Sequence, residues 1–169
     1  MNSAEVLTDA FTRIRDIVAR SVDGLSPEQL TTRPNGDANS IAWLVWHLTR
    51  IQDDHVAEVA GKKQVWLKDG WYERFALPLD PADHGYGHTA EQVAAVRPES
   101  GDLLIGYHDA VYQQTIRYLQ NLLDADLDRV VDTSWNPPVT LGVRLVSVIS
   151  DDLQHAGQAA YAAGLLKLG

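Results

Sequence analysis

Three side chains in two distant stretches offer metal-binding chemistry. Asp151 and His155 are four residues apart in the run Asp151-Asp152-Leu153-Gln154-His155. On a helix that spacing stacks both side chains on one face. A carboxylate and an imidazole so placed can hold one ion from a single rigid element. His47 lies far away in the chain, on the same helical stripe as Leu44, Leu48 and Ile51, and can supply a third ligand. Three protein ligands leave a coordination position open, which marks catalytic rather than structural metal sites. Imidazole and carboxylate suit zinc, nickel, manganese or iron(II), whereas copper(I) prefers sulfur. Zinc is the leading choice, although ligand type does not name the metal. The same residues also have a plainer reading. A lone histidine on an apolar face is more often a core residue, and Asp-x-x-x-His is often an ordinary intrahelical hydrogen bond.

Other polar residues stand behind these three. Asp54, His55 and Gln158 are candidates to support the ligands, Gln158 because it lies one turn beyond His155. Asp53 and Asp54 are both expected at the solvent or the groove rim, from where either could support a ligand. His55 and His108 fall near inner stripes, but neither has a carboxylate at chelating spacing. His84 and His88 would chelate only from a helix, and Gly85 and Gly87 oppose one there. No Walker loop, dinucleotide glycine fingerprint or serine elbow is present. The chain has no cysteine. That excludes disulfides, Cys-ligated zinc and a Cys nucleophile, so any thiol chemistry needs a thiol carried by a cosubstrate.

Positioning these residues requires long helices. Leu7, Phe11, Ile14 and Val18 predict a first helix over about 3–22. Ser26-Pro27-Glu28-Gln29 reads as a capping box that starts a short helix. A second long helix is expected from about Ser40 to Ala60, capped by Asn39 or Ser40 and closed by Gly61. Residues 61–100 are irregular and rich in aromatics, with a second capping box at Thr89-Ala90-Glu91-Gln92 that predicts a short helix near 90–96. Long aromatic loops often cover a functional site. Further helices are expected over about 102–124 and 141–166, with Gly164 weakening the end of the last. Strand signals are weak throughout. The whole predicts a single all-α domain over 1–169, an antiparallel four-helix bundle with a long crossover between its second and third helices. Bundles build metal sites from inward-facing side chains on facing helices.

Composition narrows the partners. The net charge is −9, with 14 basic against 23 acidic residues. That balance argues against nucleic acid, whose phosphates attract clustered Lys and Arg. The start of the chain lacks the basic and apolar runs of a signal peptide, and no apolar stretch is long enough to span a membrane. A cytoplasmic protein acting on a small molecule is expected.

The run Asn39-Ser40-Ile41-Ala42-Trp43-Leu44-Val45-Trp46-His47-Leu48 and the run Asp151-Asp152-Leu153-Gln154-His155-Ala156-Gly157-Gln158 resemble the DinB/YfiT-like superfamily. They are most similar to its actinobacterial mycothiol transferase-like members. The resemblance implies a four-helix bundle holding a divalent metal through His47, Asp151 and His155, commonly as a homodimer. Many members carry His where this chain has Asp151, and the mycothiol-dependent maleylpyruvate isomerases carry Glu. The activity implied is a metal-dependent transferase that uses a low-molecular-weight, mycothiol-like thiol as cosubstrate and directs its thiolate at an electrophile. A metal-dependent hydrolase and a non-enzymatic, stress-associated metal-binding protein are the alternatives.

Overall fold

A computed structural model describes residues 1–168. Four long helices carry the fold: α1 (Ser3–Val22), α3 (Ile41–Ala60), α7 (Gly101–Leu119) and α8 (Leu141–Leu168), with a short α2 (Pro27–Thr31) after the first. Their starts follow the caps legible in the sequence. Asn2 and Glu5 form a reciprocal capping box on α1, Ser26 and Gln29 another on α2, and Ser40 accepts the Trp43 N–H at the head of α3. Each cap satisfies N–H groups that have no partner within the helix. Gly61, in the left-handed region, ends α3 as expected.

Two ends differ from expectation. α7 stops at Leu119, short of the 124 that periodicity suggested. The acidic stretch beyond prefers a tight turn, because the Asp126 carboxylate accepts the Leu123 N–H at 2.9 Å and competes with helical bonding. α8 runs through Gly164 to Leu168. Two short strands, β1 (Val130–Asp132) and β2 (Val139–Thr140), form an antiparallel pair that pattern reading did not detect.

Side-chain contacts set the helix directions. Arg15 pairs with Asp109 at 2.8 Å and Thr12 with Tyr112 at 2.9 Å, so α1 and α7 run antiparallel. Thr49 meets His108 at 3.0 Å and Gln52 meets Thr115 at 2.8 Å, so α3 and α7 run parallel. Parallel neighbours cannot be joined by a tight turn. The chain must return along the bundle, roughly 30 Å for a 20-residue helix, and that return is the long 61–100 crossover. It holds three short helices, α4 (Val65–Lys68), α5 (Trp71–Phe75) and α6 (Ala90–Ala95). The α6 helix starts on the Thr89–Gln92 capping box, as read from sequence.

The crossover is bolted down by polar residues on α3. Asp53 is buried, not at the rim as expected: its oxygens accept the N–H groups of Val65 (2.9 Å) and Trp66 (2.8 Å) and the Tyr107 hydroxyl (2.9 Å). It thereby serves N–H groups at the first turn of α4. Burial raises the Asp53 carboxyl above its ordinary range, against the pull of these donors. One turn earlier, buried Arg50 donates to the carbonyl of Asp83 at 3.0 Å and to Gln64 at 2.7 Å. Around these groups Ile14, Leu48, Leu104, Leu145 and Val148 close the apolar core.

Candidate metal centre

The site forms where α3 crosses α8. His47 projects from α3, and Asp151 and His155 from successive turns of α8. One ligating atom from each lies within 4.8 Å of the other two, and this is the one such His/Asp group found among the described residues. His47 Nε2 is 4.0 Å from Asp151 Oδ2, and His155 Nε2 is 3.6 Å from Asp151 Oδ1. Around a tetrahedral zinc with Zn–N near 2.0 Å, adjacent ligand atoms lie about 3.3 Å apart. The three side chains therefore need to draw inward by roughly 1 Å or less to share an ion.

Both imidazoles are turned to offer Nε2. His47 Nδ1 lies 2.5 Å from the carbonyl oxygen of His84, which can only accept, so Nδ1 carries the proton and the Nε2 lone pair faces Asp151. His155 Nδ1 is bonded to Gln158 Oε1 at 2.8 Å, which does the same for its ring. Outer hydrogen bonds of this kind fix the tautomer and direction of a metal-binding histidine. Asp151 Oδ2 is buried without a hydrogen-bond partner. An oriented pair of Nε2 lone pairs around an orphaned carboxylate oxygen is a donor set that fits a divalent cation.

The electrostatics agree. Burial lowers the His47 pKa, outweighing the His84 carbonyl, so the ring is neutral at pH 7. His155 is raised, chiefly by the Asp151 carboxylate 3.6 Å from its Nε2, against burial. Burial pushes Asp151 up, but the nearby imidazoles of His155 and His47 hold it below the ordinary carboxylate range. An incoming ion competes with protons for these ligand atoms, so its binding depends on pH.

The 84–88 loop supplies the roof over His47. Gly85 adopts φ +94, and a Cβ there would stand 2.7 Å from His47 Nδ1, 3.1 Å from Trp46 and 3.2 Å from Trp43. Only glycine lets the His84 carbonyl reach the imidazole. The loop is tied by Asp83, which accepts the Gly85 N–H at 3.0 Å and the His88 Nε2 proton at 2.9 Å. His88 Nδ1 in turn accepts the Trp43 indole N–H at 3.0 Å. Trp43 stacks on His47 with centroids 4.6 Å apart. His84 and His88 thus act through backbone and loop geometry, and neither joins the ligand cluster.

Of the supporting residues expected, Gln158 is the one that hydrogen-bonds a candidate ligand. Gln158 holds His155. Asp54 points away, accepting from Gln64 at 2.7 Å, because it follows Asp53 by about 100° around α3. His55 lies two turns beyond His47, with its Nδ1 buried and unpartnered, and hydrogen-bonds none of the ligands. Its neighbours by charge are Arg144, Asp54, Glu58 and His84, and its own charge acts on Asp151. Sequence reading missed Arg50, the burial of Asp53 and the His84 carbonyl. The run His84-Gly85-Tyr86-Gly87-His88 was visible as a helix breaker, but its role as a roof depends on a contact across 37 residues.

Open space adjoins the site on its other side. A cavity of about 450 Å³ is bounded by Leu44, Gln158 and Tyr161, together with the 34–39 loop. The crossover packs directly on His47, and the open space next to the site lies beside Gln158. No helix among the described residues is long and apolar enough to cross a membrane.

A conserved protein from Enterococcus faecalis, known from its crystal structure, is 31% identical, superposes with a TM-score of 0.92, and matches over 100% of this chain and 99% of its own. No functionally curated protein matches the chain. The DinB superfamily model matches residues 10–159, a span that includes all three candidate ligands. By that match, and by the bundle with its long crossover, the chain belongs to the DinB superfamily.

Proposed function

We propose that His47, Asp151 and His155 hold one divalent metal ion, zinc first among candidates, and that the protein is a metal-dependent transferase using a low-molecular-weight, mycothiol-like thiol. One observation carries the reading: two imidazoles, each bonded away at Nδ1, present Nε2 beside an unpartnered carboxylate oxygen. A bound ion would supply a Lewis acid that lowers the pKa of a thiol near neutral pH. His47 and His155 keep their rings aimed through the His84 carbonyl and Gln158. Asp151 contributes the negative charge that offsets part of the cation's. The cavity beside Gln158 would hold the electrophile, with Leu44 and Tyr161 excluding water from its apolar part. A chain without cysteine forms no mixed disulfide with such a cosubstrate.

The test is metal analysis followed by a thiol-consumption assay. The purified protein should contain about one zinc, nickel, manganese or iron per chain, and His47→Ala and His155→Ala should each lose it. Metal-loaded protein should accelerate conjugation of mycothiol, bacillithiol or glutathione to monochlorobimane. Turnover of p-nitrophenyl esters with no thiol present would replace the transferase reading with a hydrolase. Full metal content in both variants would remove the site.

A second copy of the chain is the proposed partner. The exposed positions of α8 from Val143 to Leu165 include Val146, Leu153, Ala160 and Tyr161 and no charged residue. In a chain of net charge −9, this face lets two copies approach without like-charge repulsion. Light scattering should give twice the chain mass, and Leu153→Glu should give monomer. A monomeric wild type would refute the pairing.

A further inference from the structure

We propose a second ligand site, distinct from the metal centre, for a small organic anion bearing at least two negative charges. A groove of about 660 Å³ opens between the C-terminal ends of α3 and α7 and is lined by Lys62, Lys68, Arg117 and Arg129 against one acid, Asp126. Lys63 stands in the adjoining cavity, which shares Lys62 and Lys68. Five of the 14 basic residues of an acidic chain thus gather at one place. The volume falls within the roughly 300–1,000 Å³ of small-molecule sites.

A competing explanation is that the cations neutralise helix ends. α3 and α7 are parallel, so both negative C-terminal dipoles point here, each worth about half a charge. Together they call for about one cation. Arg129 supplies it, donating to the carbonyl of Val59 in the last turn of α3 at 3.2 Å. Lys68 is shared with Asp69 at 3.7 Å. Among the described residues no carboxylate lies within 4.0 Å of Lys62 or Arg117, and both are exposed. These two cations exceed what the helix ends require. Tyr118 and Leu122, half-buried, give the groove an apolar side. Cationic walls beside an apolar side suit the anionic groups and carbon body of a phosphate ester or polycarboxylate. Thirteen residues of α3 separate His47 from the rim at Ala60, about 20 Å, so a ligand here does not reach the metal ligands.

Isothermal titration of the full chain with fructose 1,6-bisphosphate, with fructose as the neutral control, tests this. Saturable binding with submillimolar Kd is expected, weakening several-fold between 50 and 200 mM salt, roughly as charge-driven binding does. Lys62→Gln/Arg117→Gln should weaken it at least tenfold, whereas His155→Ala should leave it unchanged. Both substituted residues are exposed, so the double variant should keep its circular dichroism spectrum. Absence of saturable binding, equal binding by the double variant, or loss of binding in His155→Ala would each overturn the proposal. A double variant that melts earlier while the wild type binds no bisphosphate would assign the cations to the helix ends alone.

Discussion

Gly85→Ala separates the roof over His47 from the rest of the fold. The new Cβ would lie 2.7 Å from His47 Nδ1 and 3.1 to 3.2 Å from two indole rings, at a residue whose φ is +94. Neither tryptophan can retreat easily, because Trp43 is tied to His88 and Trp46 is buried. The loop must lift, and the bond from Nδ1 to the His84 carbonyl breaks. Loss of an outer hydrogen bond to a metal-binding histidine typically costs roughly 10- to 100-fold in affinity, or about 1.4–2.7 kcal/mol. Gly87→Ala is the matched control. Gly87 also has positive φ, +73, but a Cβ there meets nothing within 4 Å. It should cost only backbone strain of about 1–2 kcal/mol, a fall in Tm of roughly 2–8 °C, with zinc affinity unchanged. The assay is competition for zinc against a chromophoric chelator, with melting of the metal-free proteins alongside. Wild-type affinity in Gly85→Ala, or equal loss in Gly87→Ala, would refute the proposed role of the loop.

Three further outcomes are expected. Burial lowers the His108 pKa to about 4, so the folded state keeps this ring neutral where the unfolded chain, near 6.5, binds a proton. The resulting stabilisation is complete above about pH 6.5 and is lost as pH falls towards 4, up to about 3 kcal/mol; His108→Gln should flatten that part of the stability–pH curve in urea titrations, and an unchanged slope would count against it. Asp53→Ala leaves the Val65 and Trp66 N–H groups and buried Arg50 without their carboxylate, and should cost about 3–5 kcal/mol in denaturant unfolding. A loss below about 1 kcal/mol would show that the crossover is held by its aromatics. Asp152 is fully buried with neither oxygen hydrogen-bonded, and burial raises its pKa far above the ordinary value. Its contribution is present at low pH and is lost as pH rises from the unfolded carboxylate range through the raised folded value, so Asp152→Asn should gain on wild type in Tm with rising pH; a constant difference would mean the group does not titrate in the fold.

Capping chemistry and helical periodicity were strong enough in the chain to locate the four long helices, two short ones and the facing of His47, Asp151 and His155, because those signals act over a few residues. The i, i+4 chelating pair is a local property of one helix, and Gln158 follows from it one turn on. What local pattern could not carry was contact between segments. The burial of Asp53 depends on α4 arriving with free N–H groups, and a charged residue on a helix otherwise reads as solvent-facing. The turning of Asp54 towards Gln64 followed from the packing of α3 against the crossover, which local pattern does not decide. The end of α7 turned on a competition between side-chain and backbone bonding at Asp126. The roof over His47 required two segments 37 residues apart to meet at a backbone carbonyl, an acceptor every residue carries and no sequence pattern marks.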